Sequence, residues 1–444
     1  MAVSSKQPTR SHQHAVINTQ SLTLKTSNKR KIINDPVHGF IRIPTDTLFD
    51  ILSHPYVQRL GRIKQLGVSN FVYPGAVHTR LIHSIGAMHL CMEAIHNLRE
   101  KGIDISDSER ESVMAAMLLH DVGHGPFSHV LENTLVSGVT HEEISLLMME
   151  QINRDLTDSQ QLNLQGEIEG RLDEALAIFK DEYPRHFLHQ LISSQLDMDR
   201  MDYLCRDSFF CGVTEGSIAS ERLLKMLNVS NDRLVIDHKG IYSVEKFLVA
   251  RRLMYWQVYL HKTSVAAEQV LIQLLRRAKE LATQGVDIFG SPALRYFLYN
   301  EVTRDAFYPG SQAMQMYALL DDTDIQSAMK VWMSHKDTVL STLATAYTNR
   351  RLFKALEVKV TDDRLQVTDE LRRRYMEQFG ISAHEAEFLF SLHTSSSKAY
   401  SAADDQIDIL YPDGTIRNIA DASDMWSMAA LTHKVERNYI YYYK

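Results

Sequence analysis

Leu118-Leu119-His120-Asp121-Val122-Gly123-His124-Gly125-Pro126-Phe127-Ser128-His129 is the stretch from which the rest of the chain is read. An apolar helix runs into an adjacent His–Asp pair and stops, because Gly123, Gly125 and Pro126 break helical geometry. Neither polar side chain is buried cheaply without a partner. A shared divalent cation, bound through imidazole nitrogen and carboxylate oxygen, provides one. The glycines let the backbone turn, so that His124 and His129 come back toward the same point. A lone core-facing histidine is ordinarily a hydrogen-bonded core residue. An adjacent His–Asp pair with two further histidines behind it reverses that reading.

Working outward, eight of the 20 histidines fall between His78 and His141, which points to a metal or catalytic site. His83, in Arg80-Leu81-Ile82-His83-Ser84, is a polar residue beside a core-facing helix stripe. A fourth ligand is expected from a distant carboxylate. Asp199, Tyr203 and Asp207 are spaced four apart and form one line on a helix. A solvated acid is the bland reading of Asp199 alone, but an acid–aromatic–acid line resembles a pocket wall. Asp202 and Arg206, also four apart, read as an ordinary surface pair. Arg251, Tyr255 and Tyr259 form a second line, flanked by Arg252, His261 and Lys262. It reads either as core packing or as a cationic wall with aromatic faces, suited to phosphates and a base.

The whole chain, 444 residues with 48 basic and 55 acidic side chains, carries a net charge of −7. That balance argues against a nucleic-acid coat. Apolar residues are 44% and charged residues 23%, which excludes wholesale disorder. No apolar run approaches the roughly 18 residues of a membrane helix. Only Cys91, Cys205 and Cys211 are present, with no CxxC, so the chain reads as a protein of reducing cytoplasm. Ten prolines and 19 glycines are few for this length and favour a mainly α fold.

Residues 1–30 read as a flexible, Ser/Thr/Gln/His-rich tail, with a transit peptide as the alternative. Two short strands around a turn are expected at 32–43. Helices are expected at 46–66, 80–101 (amphipathic), about 108–121, 141–153, 168–181, 184–207, 218–227 and 243–284, the last capped by Ser243. A hairpin is expected to join 234–237 to 241–242. Residues 286–390 read as a helical extension. Residues 391–444 form a small α+β region, with strands near 407–411 and 416–419 around Pro412-Asp413-Gly414 and a last strand at 438–443.

His83, His120-Asp121 and Asp199 together resemble the H…HD…D signature of HD-domain metal-dependent phosphohydrolases. Further strings narrow the likeness: Gln58-Arg59-Leu60 with Ile63-Lys64-Gln65-Leu66-Gly67, Tyr73-Pro74-Gly75-Ala76, Met201-Asp202-Tyr203-Leu204-Cys205-Arg206-Asp207 and Tyr259-Leu260-His261-Lys262. They are similar to the branch that holds the deoxynucleoside triphosphate (dNTP) triphosphohydrolases and their bacterial relatives. The resemblance covers roughly 31–285, expected as an HD helical core with small β-hairpins.

The resemblance implies one divalent ion (Mn, Fe, Mg, Zn or Ni) on His83, His120, Asp121 and Asp199. It implies catalysis by His141 with His124 nearby, and Glu132 orienting the histidine. Arg80 and His129 would contact phosphate, with Arg200 standing where the best-known eukaryotic member has lysine. Gln65, beside Leu66, and Asp207 would hold the sugar 3′-hydroxyl, and Tyr203 would fill the space of a 2′-hydroxyl. Arg251 would reach the terminal phosphates, with Tyr255 and Tyr259 near sugar and base, although Tyr255 replaces a histidine. Ser53 and Gly61 stand where that member's activator site has an acid for guanine and an arginine for phosphate, although Asn34 and Gln58 match. These two departures count against activation by GTP in that manner and leave the existence of a nucleotide activator open. The implied partners are a nucleotide and further copies of the chain, as dimer or tetramer. The expected activity is hydrolysis of a dNTP to deoxynucleoside and inorganic triphosphate. The alternatives are action on a monophosphate, cyclic dinucleotide or alarmone, or a nucleotide sensor with weak activity.

Overall fold

A computed structural model describes residues 31–127, 134–158, 171–358, 361–397, 400, 406–424 and 434–444. Helix makes up 58% of it, with a few small sheets, as the mainly α expectation requires. The expected tail at 1–30, His129 and Glu132 all lie outside the described residues.

Helix Arg80–Glu100 is the centre of the molecule and packs on helices Asp107–Leu119 and Met198–Cys211. It is less one-sided than its sequence suggests. Ser84, Gly86 and Ala87 are buried as well as Ile85, Met88 and Ile95, because neighbours cover most of its circumference. Helix Asp107–Leu119 starts one residue early, at a capping box. Ser106 accepts from the Glu109 backbone N–H, and the Glu109 side chain accepts from that of Ser106.

The strands at Ile32–Asp35 and Gly39–Arg42 pair as expected. Four other expectations need correction. The helix expected over 46–66 is Asp46–Ser53, a short turn Pro55–Gln58 and a 3₁₀ turn Arg59–Arg62, because Pro55 can only begin a helix. The helix expected over 184–207 is two, His186–Gln190 and Met198–Cys211. Asp197 caps the second by accepting from the Arg200 backbone N–H at 2.7 Å. The hairpin lies one strand earlier than expected. Leu227–Ser230 pairs with Arg233–Asp237 over Asn231 and Asp232, both at positive φ, and Ile241 already begins a helix. The long helix at 243–284 is interrupted: Ile241–Met254 passes into a π-helical turn, Tyr255–Tyr259, and His261 caps a new helix, Lys262–Thr283.

The C-terminal strands join sheets begun elsewhere in the chain. Asp408–Leu410 pairs with Ile416–Asn418 and, in parallel, with Arg233–Asp237. Val435–Tyr442 lies between Lys354–Glu357 and Phe390–Ser397.

Candidate metal centre and cleft

His83, one turn into its helix, and Asp199, in the first turn of helix Met198–Cys211, meet His120-Asp121 at the end of helix Asp107–Leu119. His83 Nε2 lies 3.0 Å and His120 Nε2 3.5 Å from Asp199 Oδ1. Asp121 closes the group, with its oxygens 3.8 Å from His83 Nε2 and 3.4 Å from His120 Nε2. One ligand atom each from His83, His120 and Asp199 lies within 4.8 Å of the others.

The donor set fits a cation. His83 Nδ1–H donates to Asp202 Oδ2 at 2.7 Å, and His120 Nδ1–H to the Met117 carbonyl at 2.7 Å. Each ring therefore turns its Nε2 lone pair inward. Both Nε2 atoms are buried with no hydrogen-bond partner among the described residues. A bound divalent ion would satisfy both, and such second contacts are what fix ligating histidines. The electrostatics agree. Burial alone would lower the His83 pKa, but the Asp199 and Asp202 carboxylates beside the ring raise it to about 10. Burial would likewise raise Asp199, yet His120 and His83 hold it far below the usual carboxylate range. The centre is thus built to hold positive charge, and a metal would replace protons there.

Several supporting residues were not legible as such. Asp202 and Arg206, read as a surface pair, are fully buried. Arg206 donates from Nε and Nη2 to both Asp202 oxygens at 2.8 and 2.9 Å, and from Nη1 to Asp35 at 2.7 Å. His38 Nε2 lies 2.7 Å from Asp202 Oδ1. Gly86 makes room for this pair, since a Cβ there would stand 2.1 Å from Arg206 and from Asp202.

His141 begins helix His141–Asp158, and its ring lies 3.9 Å from that of His124. The approach depends on Gly123, where a Cβ would meet the His141 carbonyl oxygen at 2.2 Å. Ser145 fastens the two segments together, accepting from the Gly123 N–H at 2.9 Å and donating to the His120 carbonyl at 2.8 Å. His124 Nδ1 is 3.1 Å from Asp121 Oδ1, and burial with the Arg80 charge pushes its pKa down to about 3. Arg80 also binds Asp121 directly.

Beside the centre lies a cleft of about 460 Å³. Its walls include Gln65, Leu66, Arg80, Asp199, Arg200, Tyr203, Asp207, Tyr255 and Tyr259, all expected, together with Phe127, Leu260 and Glu268. Arg200 is steadied by donating from Nε to the Ser194 carbonyl at 2.7 Å and to Asp197 at 3.1 Å. The Tyr203 hydroxyl is buried with no hydrogen-bond partner among the described residues. Asp207 is held by the Tyr259 hydroxyl at 2.8 Å and by His78 Nε2 at 2.7 Å. His78 was legible only as one of the clustered histidines. The π-helical turn at 255–259 brings the Tyr255 and Tyr259 rings to 5.2 Å from each other. Arg251 is not on the cleft wall. It stands behind Tyr255, 6.0 Å from the ring, and donates to Gln195 at 3.1 Å. Two buried groups brace the surrounding loops. Arg59 donates to the carbonyls of Val122 and His124 at 2.9 and 2.7 Å, and Asp322 accepts from the Lys64 and Phe127 N–H groups at 3.1 and 2.9 Å.

Two imidazoles and a carboxylate that can share one cation, with a second carboxylate beside them in a helical core, make up the kind of centre that metal-dependent hydrolases use. Residues 80–207 match the family described as HD domain, and 218–288 the family described as HD associated region. The crystal structure of a phosphohydrolase from Bacteroides thetaiotaomicron superposes with a TM-score of 0.87 at 55% identity, covering 94% of this chain and all of that one. The uncharacterised protein YwfO of Bacillus subtilis is 32% identical over 76% of this chain and 74% of its own length. Human deoxynucleoside triphosphate triphosphohydrolase SAMHD1 is 28% identical over 60% of this chain, which spans about half of that enzyme (47%). The chain belongs to the HD-domain phosphohydrolases, on the branch that includes the dNTP triphosphohydrolases. No described helix is long and apolar enough to cross a membrane.

Proposed function

We propose that the protein hydrolyses a dNTP to deoxynucleoside and inorganic triphosphate. The observation that carries this reading is the shared cleft, in which the ligand Asp199 and the cations Arg80 and Arg200 stand beside Gln65, Tyr203 and Asp207. A metal held by His83, His120, Asp121 and Asp199 would supply a Lewis acid and an activated water. Arg80 and Arg200 offset phosphate charge, and neither can lose its own. Tyr203 leaves no room beside the sugar for a 2′-hydroxyl, while Gln65 and Asp207 hold the 3′-hydroxyl. Oxygen from water bonds to the α-phosphorus, the bond from that phosphorus to O5′ breaks, and O5′ takes up a proton. His141, kept in place by His124 and by Ser145, is the proton carrier.

A second cleft, of about 920 Å³, is lined by Lys262, Arg350, Arg351, Lys354, Arg374 and Lys444. It supports a nucleotide activator as part of the same reading, while Ser53 and Gly61 count against the guanine-reading kind. Assembly as a dimer or tetramer belongs to the proposal too. The test is ion-exchange chromatography of the products formed from each dNTP with Mn²⁺ or Mg²⁺. Intact triphosphate is expected. Release of single phosphates would favour a different HD phosphohydrolase reaction, and binding without turnover a sensor.

A further inference from the structure

The cleft contains three acids, and two have evident work. Asp199 belongs to the metal centre, and both oxygens of Asp207 are engaged by Tyr259 and His78. The third, Glu268, comes from helix Lys262–Thr283, whose neighbouring residues Val265, Ala266, Ala267 and Val270 are buried in the core. Among the described residues Glu268 has no hydrogen bond and no ion pair, yet it reaches the cleft. Burial alone pushes its pKa up to about 7, with no cation to hold it down. The residue is half-buried, on the lining of the cleft rather than sealed in the core. Such an acid in a ligand cleft marks a site where a ligand supplies the missing partner.

The ligand chemistry follows from what else lines the cleft. Tyr255 and Tyr259 come from the segment just before Glu268 and put two aromatic rings, set edge to face, on the wall of the same cleft, where a planar base can pack. A carboxylate only accepts, and its two oxygens match two adjacent N–H donors lying in one plane. Guanine offers such a pair, N1–H and the exocyclic amine. Adenine and cytosine offer an amine alone. Thymine offers one N–H between two carbonyls that repel a carboxylate.

We propose that Glu268 reads the hydrogen-bonding edge of the nucleobase and sets a preference for dGTP first and dTTP last. The proposal rests on the dNTP reading above. The test measures kcat/KM for the four dNTPs with wild type and with Glu268→Gln. The carboxamide keeps the size but offers a donor and an acceptor, which suits thymine. The dGTP-to-dTTP ratio is expected to fall by about tenfold, the ordinary discrimination of one two-point contact. An active wild type whose ratio is unchanged in the variant overturns the inference and leaves the function standing. If wild type turns over no dNTP, the functional reading fails. Calorimetric binding of dGTP and dTTP then judges Glu268 by the same ratio. Should Glu268→Gln fail to fold, Glu268→Asp, which withdraws the carboxylate by one methylene, must narrow the ratio in the same direction.

Discussion

Asp202 Oδ2 lies 2.7 Å from His83 Nδ1, and this contact decides that His83 turns Nε2 toward the metal centre. Asp202 is held in turn by Arg206 and His38, so the orientation of one ligand is anchored through a fully buried charge network. Asp202→Asn is expected to weaken Mn²⁺ binding by about 10–100-fold. It also leaves Arg206 underpaired, at a cost of about 3–5 kcal/mol. Titration calorimetry and thermal melts separate the two effects. Unchanged metal affinity in a destabilised variant would reduce Asp202 to a structural role.

His120→Ala and Asp199→Ala each remove one member of the ligand set. Both proteins should fold, since neither residue is part of the apolar core, and both should purify without metal and without turnover. Elemental analysis beside circular dichroism checks this. A metal-replete, active pair of variants would refute the ligand assignment.

Gly123→Ala places a methyl group against the His141 carbonyl and the Ser145 N–H, each 2.2 Å from the new Cβ. The first turn of helix His141–Asp158 must move away, at a cost of about 1–3 kcal/mol. Because His141 sits on that turn, kcat should fall more than the melting temperature would suggest. Ser145→Ala, which removes two hydrogen bonds without adding bulk, should lower kcat in the same way.

Glu268 predicts a pH dependence of stability in the substrate-free protein. Its folded pKa of about 7 lies above the roughly 4.3 of an unfolded chain. Between those values the folded state keeps a proton that the unfolded state has released. The stabilisation is therefore complete below about pH 4 and is lost as pH rises through 7. Glu268→Gln cannot ionise. Its melting temperature relative to wild type should climb between pH 5 and pH 8, and a constant difference would contradict the raised pKa.

The sequence disclosed the centre better than it disclosed the elements that carry it. His83, His120, Asp121 and Asp199 were legible because costly polar residues interrupt apolar helices. Tyr203, Asp207, Tyr255 and Tyr259 were legible because they recur every fourth residue. Asp202–Arg206 was misread because an i, i+4 ion pair has the same spacing on a surface and in a core. Only Gly86 on the facing helix signals that the pair needs room inside. Long helices were read straight through 191–197 and 255–261, because local caps and a π-helical turn leave the apolar pattern almost unbroken. Glu268 was missed because one acid on an amphipathic helix carries no pattern of its own.

Hydrolysis of dGTP in ¹⁸O-labelled water, followed by mass spectrometry of the separated products, tests the central claim most directly. Attack at the α-phosphorus predicts one ¹⁸O in inorganic triphosphate and none in deoxyguanosine. Label in the nucleoside, or label in orthophosphate with no triphosphate released, would contradict it.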